Sequence, residues 1–129
     1  MGVVTFGDGA WLRQPLTHDF EEVRVVLNSI YAGSPRGGTN MSAGVLLRVR
    51  EMLGRGQSEN YLESVKALLL MTDGLPILPN GGGRRRNEAD IDLTIDAARQ
   101  AGTAAITVNA FGLGEGATQT RVRWLVSQR

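Results

Sequence analysis

Apolar and polar positions along this chain repeat with two different periods, and the periods mark out strands and helices in turn. Val3-Val4-Thr5-Phe6 is β-branched and aromatic and reads as a strand. Gly7-Asp8-Gly9 is a tight-turn signal, since Asp-Gly supports the positive φ of hairpin turns. Trp11 to Gln14 reads as the returning strand, ended by Pro15, so the start of the chain predicts a hairpin. Asp19 opens a helix. Glu22 stands at the capping-box spacing, and Phe20, Val23, Leu27 and Ile30 give one apolar face ending near Gly33. After a loop over Ser34 to Gly38, Thr39 or Asn40 caps a second helix, whose stripe is Met41, Val45, Val49 and Met52 and whose stop is Gly54.

The strongest local signal is Ala67-Leu68-Leu69-Leu70-Met71-Thr72, which ends abruptly in Asp73-Gly74. A short unbroken apolar run reads as a strand buried on both faces, typical of parallel sheets. Gly74 and Pro76 stop it too early for a helix. Open α/β sheets bind ligands beyond the carboxyl ends of their strands, which is where this reading puts Asp73. An irregular stretch follows, from Gly74 to Arg86. Asn87 then caps a helix, with Asp90 in its first turn, Ile91, Ile95 and Ala98 toward the core, and Gly102 as its stop. Ala104 to Phe111 reads as another buried strand. Thr118 to Gln128 reads as a last helix with Val122 and Leu125 inward. Helix alternating with strand is the α/β signature, and the 129 residues suit one domain.

Composition narrows the function classes. The net charge is +1 and aromatics are 5%, so neither nucleic acid nor an anionic membrane is implied as partner. There is no cysteine, which removes disulfides and thiolate chemistry. The single histidine, His18, argues against a His-based zinc site or a catalytic triad. No apolar run approaches membrane-spanning length. Gly37-Gly38-Thr39 before a helix leaves open a phosphate- or nucleotide-binding alternative, though no Walker A lysine motif or G-x-G-x-x-G opening a helix accompanies it.

Three pieces in order resemble the von Willebrand factor A (vWA) domain. They are Val3-Val4-Thr5-Phe6-Gly7, then Gly37-Gly38-Thr39-Asn40-Met41-Ser42-Ala43-Gly44, then Leu68-Leu69-Leu70-Met71-Thr72-Asp73-Gly74. Ala110-Phe111-Gly112-Leu113-Gly114 is similar to that family's late strand and loop. The resemblance implies a three-layer, Rossmann-like, doubly wound and mostly parallel sheet with an antiparallel edge hairpin. It also implies a non-enzymatic module that binds other proteins, often through a metal-ion-dependent adhesion site holding Mg²⁺ or a similar cation such as Mn²⁺ or Ca²⁺. Thr39 matches that site's threonine and Asp73 its later aspartate. Its first part, Asp-x-Ser-x-Ser, occurs nowhere in the chain.

The resemblance therefore describes a partial domain over residues 1–129, beginning at the family's second strand and lacking its final one. The expected site is incomplete, with cation affinity weak or absent in the isolated chain, because one neutral hydroxyl and one carboxylate make a poor octahedral set. Asp8 is a substitute ligand at the same rim, or simply a turn residue. Arg36, Arg84, Arg85 and Arg86 form a rim able to steer an acidic residue of a protein ligand, or a solvated loop surface. A sheet without its central strand is expected to pair its flanking strands directly, to borrow a strand, or to be completed by a longer protein. Open edges also favour self-association, and a truncated domain that only self-associates is a further alternative.

Overall fold

A computed structural model describes residues 1–31, 38–58, 64–73 and 88–113, with backbone alone for residues 88–90. Its elements are β1 (Val3–Phe6), β2 (Ala10–Gln14), α1 (Phe20–Ser29), α2 (Met41–Met52), β3 (Lys66–Thr72), α3 (Glu88–Thr103) and β4 (Ile106–Gly112). β1 and β2 form the antiparallel hairpin, with Phe6 opposite Ala10 and a register irregularity between Val3 and Val4. β3 and β4 pair in parallel from Lys66 opposite Ile106 to Thr72 opposite Gly112. α3 is the crossover between them, as a parallel pair requires. The predicted cap at Asn87 and helix at Thr118 to Gln128 lie outside the described residues.

The helix α2 is the centre of the packing. It touches β1, β2, β3 and α3. Its predicted stripe, Met41, Val45, Val49 and Met52, is buried throughout, in one core with Leu68, Leu70, Ala97, Ala101 and Ile106. A second stripe, Gly44, Arg48 and Glu51, is buried beside it. Gly44 lets α2 approach β1 closely: a Cβ there would stand 2.9 Å from Phe6 Cδ1 and 3.2 Å from Phe6 Cβ. A β-branched side chain cannot be accommodated without moving one element. Gly44→Val is expected to cost about 1–3 kcal/mol of stability by overpacking, measured by chemical denaturation. A neutral outcome would mean that α2 and β1 do not pack this closely.

One sequence expectation needs correction here. β3 is not buried on both faces. Leu68, Leu70 and Thr72 are buried while Ala67, Leu69 and Met71 are exposed. The helices α2 and α3 cover one face, and among the described residues nothing covers the other. Of the three outcomes open for the flanking strands, direct pairing is not seen among the described residues: the described strands form two two-stranded sheets, β1–β2 and β3–β4.

The helices differ in detail for related reasons. The Asp19 carboxylate caps α1, with Oδ1 accepting from the N–H groups of Glu21 at 2.8 Å and Glu22 at 3.3 Å. The reciprocal half of the capping box is not made, because Thr17 Oγ1 takes the Asp19 N–H and Glu22 accepts from Gln14 Nε2. Of the predicted α1 face, Val23 alone is buried, and Phe20, Leu27 and Ile30 are exposed. The hairpin beneath is two strands wide and is too narrow to cover the whole stripe. In α3 the fully buried face is Thr94, Ala97 and Ala101, and Ile91, Ile95 and Ala98 are half-buried at its flank. The helix runs past Gly102 to Thr103, and Ala105, at φ 57°, makes the left-handed turn into β4. Gly54 stops the run after α2 as expected, at φ 65°.

Candidate functional site

The rim built by the hairpin tip and the loop before α2 is held by a small set of polar contacts. The Asp8 carboxylate accepts from the Gly38 N–H. Asn40 Nδ2 donates to the Asp8 carbonyl at 3.3 Å, and the Asn40 N–H donates to the Gly7 carbonyl at 2.7 Å. The Asn40 side chain turns the other way as the cap of α2, its Oδ1 accepting from the Ala43 N–H at 3.1 Å and from Ser42 Oγ at 2.9 Å. Of the two predicted capping residues, Asn40 does the work. Thr39 is half-buried between these anchors and does not cap; its carbonyl accepts from Met41 N–H.

A phosphate held at Gly37-Gly38-Thr39 needs free N–H groups at the helix start. The Gly38, Asn40 and Ala43 N–H groups are already taken, by Asp8, Gly7 and Asn40. The same contact makes Asp8 a structural anchor joining hairpin to loop, with one carboxylate oxygen committed to the backbone.

Asp73 stands exposed immediately after β3, where the Thr72 carbonyl accepts from Leu113 N–H at 2.8 Å. No hydrogen bond or ion pair joins Asp73 to Thr39 among those described. Among the described residues there is also no group of three or more acidic or histidine side chains able to hold a metal ion. Thr39 and Asp73 by themselves do not make a cation site, since Mg²⁺ asks for six oxygens in near-octahedral order. Arg36, Arg84, Arg85 and Arg86 lie outside the described residues.

A second polar centre sits at the far end of α2, and sequence periodicity passed over it. Glu51 is buried, and its carboxylate accepts from the N–H groups of Gln57 and Ser58 and from Ser58 Oγ at 2.7 Å. Ser58 Oγ in turn accepts from the Leu16 N–H at 2.8 Å. The loop after α2 is thereby folded onto the carboxylate and tied to the chain leaving β2. Burial pushes the Glu51 carboxyl up. The Ser58 hydroxyl, the amides of Gln57 and Ser58 and the charge of Arg48 outweigh that, and hold it below the usual carboxylate range. Arg48 is also buried, with Nη1 lacking a hydrogen-bond partner among the described residues. Desolvation lowers its pKa and the Glu51 charge opposes the shift. The signal for this pair was the i, i+3 spacing of Arg48 and Glu51 beside the apolar stripe, which reads equally well as a solvated face.

No protein-family model matches the chain, and neither does any curated protein. Solved structures do match. One is an aerotolerance-related membrane protein from Bacteroides fragilis, 24% identical over 93% of this chain, with a TM-score of 0.59. Another is the manganese-loaded TRAP protein of Plasmodium vivax, 19% identical over 93% of this chain, with a TM-score of 0.61. The chain spans 55% of the first structure and 42% of the second, about half the length of the proteins it resembles. At these identities the likeness is one of fold. The fold of this chain is von Willebrand factor A-like.

Proposed function

We propose that this chain is a non-enzymatic protein-interaction module of the vWA type. Its partner docks at the rim formed by the hairpin tip, the loop before α2 and the end of β3. The observation that carries the reading is the anchoring of Thr39: in a vWA-like fold, the threonine that the resemblance assigns to the cation site sits in a loop pinned to the hairpin tip through Asp8 and Asn40. Asp73, exposed at the end of β3, is the second member of a remnant site. Two oxygens of this kind bind Mg²⁺ or Mn²⁺ weakly, and an acidic side chain of the partner adds a third ligand. One of the similar proteins is manganese-loaded, which supports a cation site in a protein of this fold. Arg36 and Arg84 to Arg86 are proposed to steer the same acidic partner.

The test is a panel of protein ligands measured with Mn²⁺ and with chelator, on the wild-type chain and on Asp73→Ala. Mn²⁺ is expected to strengthen binding of an acidic ligand about tenfold, and Asp73→Ala to abolish that gain. Binding that ignores both the cation and the substitution would sink the metal-assisted reading.

A further inference from the structure

The outer face of the hairpin carries two side chains that are held in place but not used up. Along β2, Ala10, Leu12 and Gln14 are half-buried while Trp11 and Arg13 are exposed. Trp11 keeps 48% of its surface in water. Its ring lies on the bare glycine turn: a Cβ on Gly7 would stand 3.7 Å from Trp11 Cζ3, and one on Gly9 3.6 Å from Trp11 Cζ2. The same position on Gly7 is 3.9 Å from the Gly38 carbonyl oxygen, so the indole borders the rim. Arg13 Nε donates to Thr5 Oγ1 at 2.9 Å, and Thr5 stands opposite Trp11 across the hairpin. The Nη1 and Nη2 groups of Arg13 have no partner among the described residues. One hydroxyl thus fixes the guanidinium on the face that the indole occupies and leaves its outer fork open. An arginine without an acidic partner belongs in water or against a carboxylate from elsewhere, so this face is not built to lie under a further layer of the core.

We propose that Trp11 and Arg13 are a second contact for the protein partner of the rim, and that they read an extended segment with an apolar and an acidic side chain two positions apart. The inference rests on the reading that an acidic protein docks at the rim, and it adds what that partner carries beside it. Trp11 and Arg13 are two positions apart on one strand face, about 6.5–7 Å along the chain. An extended partner presents alternate side chains at the same repeat, so one residue meets the indole and the next but one meets the guanidinium. Charge sets the order. Asp8, bonded to the Gly38 N–H, carries a carboxylate at the tip where Trp11 lies, and it repels a second carboxylate there. The acidic side chain therefore goes to Arg13, whose two amino groups can hold it through paired bonds, and the apolar one goes to Trp11. Both anchors are positioned in advance, the indole by the turn and the guanidinium by Thr5, so little side-chain freedom is lost on binding. Tryptophan and arginine are also the residue types that most often carry the energy of an interface.

This contact needs no cation, so it is tested in chelator; failure of the cation-assisted reading is detected separately, with Mn²⁺ and Asp73→Ala. The probes are two blocked, threonine-rich peptides of one composition, with Leu-Thr-Glu in the first and Leu-Glu-Thr in the second. Each is titrated to about 5 mM into the ¹⁵N-labelled full chain. The first is expected to shift the Trp11 indole N–H and Arg13 Nε–H resonances and to bind at least about fivefold more tightly than the second. Arg13→Gln and Trp11→Ala, each checked for fold by circular dichroism, should each weaken it about tenfold, and Asp73→Ala should leave it unchanged. Arg13→Gln decides alone if Trp11→Ala disturbs the hairpin. The proposal is overturned by the absence of a shift at either resonance, by equal binding of the two peptides, by binding that survives Arg13→Gln, or by an equal loss in Asp73→Ala.

Discussion

Glu51→Ala will lower the unfolding free energy by about 3–5 kcal/mol, read as a shift of the urea midpoint. The carboxylate accepts from two backbone N–H groups and one hydroxyl in a buried setting. Removing it strands those donors and leaves Arg48 buried without the opposing charge of Glu51. Stranded buried donors each cost about 1–3 kcal/mol, and an uncompensated buried charge costs more. The same group makes stability depend on pH. Its carboxyl is held below the usual range in the folded chain, so the folded state binds the proton less readily than the unfolded chain does. The stabilisation is therefore fully present above the unfolded value of 4.5 and disappears as the pH falls through the lower folded value. Glu51→Ala should flatten the acid limb of the stability profile as well as lower its plateau. A loss under about 1 kcal/mol, with the acid limb unchanged, would show that the loop does not depend on this carboxylate.

The second large effect contrasts two neighbours. Leu70→Ala should cost about 2–5 kcal/mol, and Leu69→Ala less than about 0.5 kcal/mol, in the same denaturation experiment. Both sit in the middle of one apolar run. Leu70 is buried in the core with Val45, Ala97 and Ile106, and truncating it leaves a cavity. Leu69 points to the face that no described element covers and is already 60% exposed. The two should separate clearly. Equal losses would mean that both faces of β3 are covered.

The pair also shows how much could be read from the chain before the structure. The α2 stripe was legible because four residues at helical spacing all face one core, and each is buried. The hairpin was legible because Gly7-Asp8-Gly9 has one economical conformation, a tight reversal between two strand-forming runs. The α1 cap was legible at Asp19, but its apolar face was not correctly valued. Periodicity reports which side chains could be buried together, and the width of the surface beneath decides how many are. Arg48 and Glu51 were overlooked for the converse reason. Charged residues one turn apart normally read as a solvated pair, and a loop distant in the helix frame, from Gln57 to Ser58, makes them a buried one.

At the candidate site the division is the same. Thr39 and Asp73 were found as residue types in familiar surroundings. The Gly38 N–H is taken by Asp8, thirty positions earlier in the chain. Local chemistry thus specified the described elements and their order, because propensity, capping and turn preference act over a few neighbours. Tertiary packing alone decided which face of Leu68 to Met71 is dry, that the two strand pairs stand as separate sheets, and that a glutamate is the anchor at the end of α2. Burial is a property of what arrives from elsewhere in the chain, and no window of adjacent residues contains it.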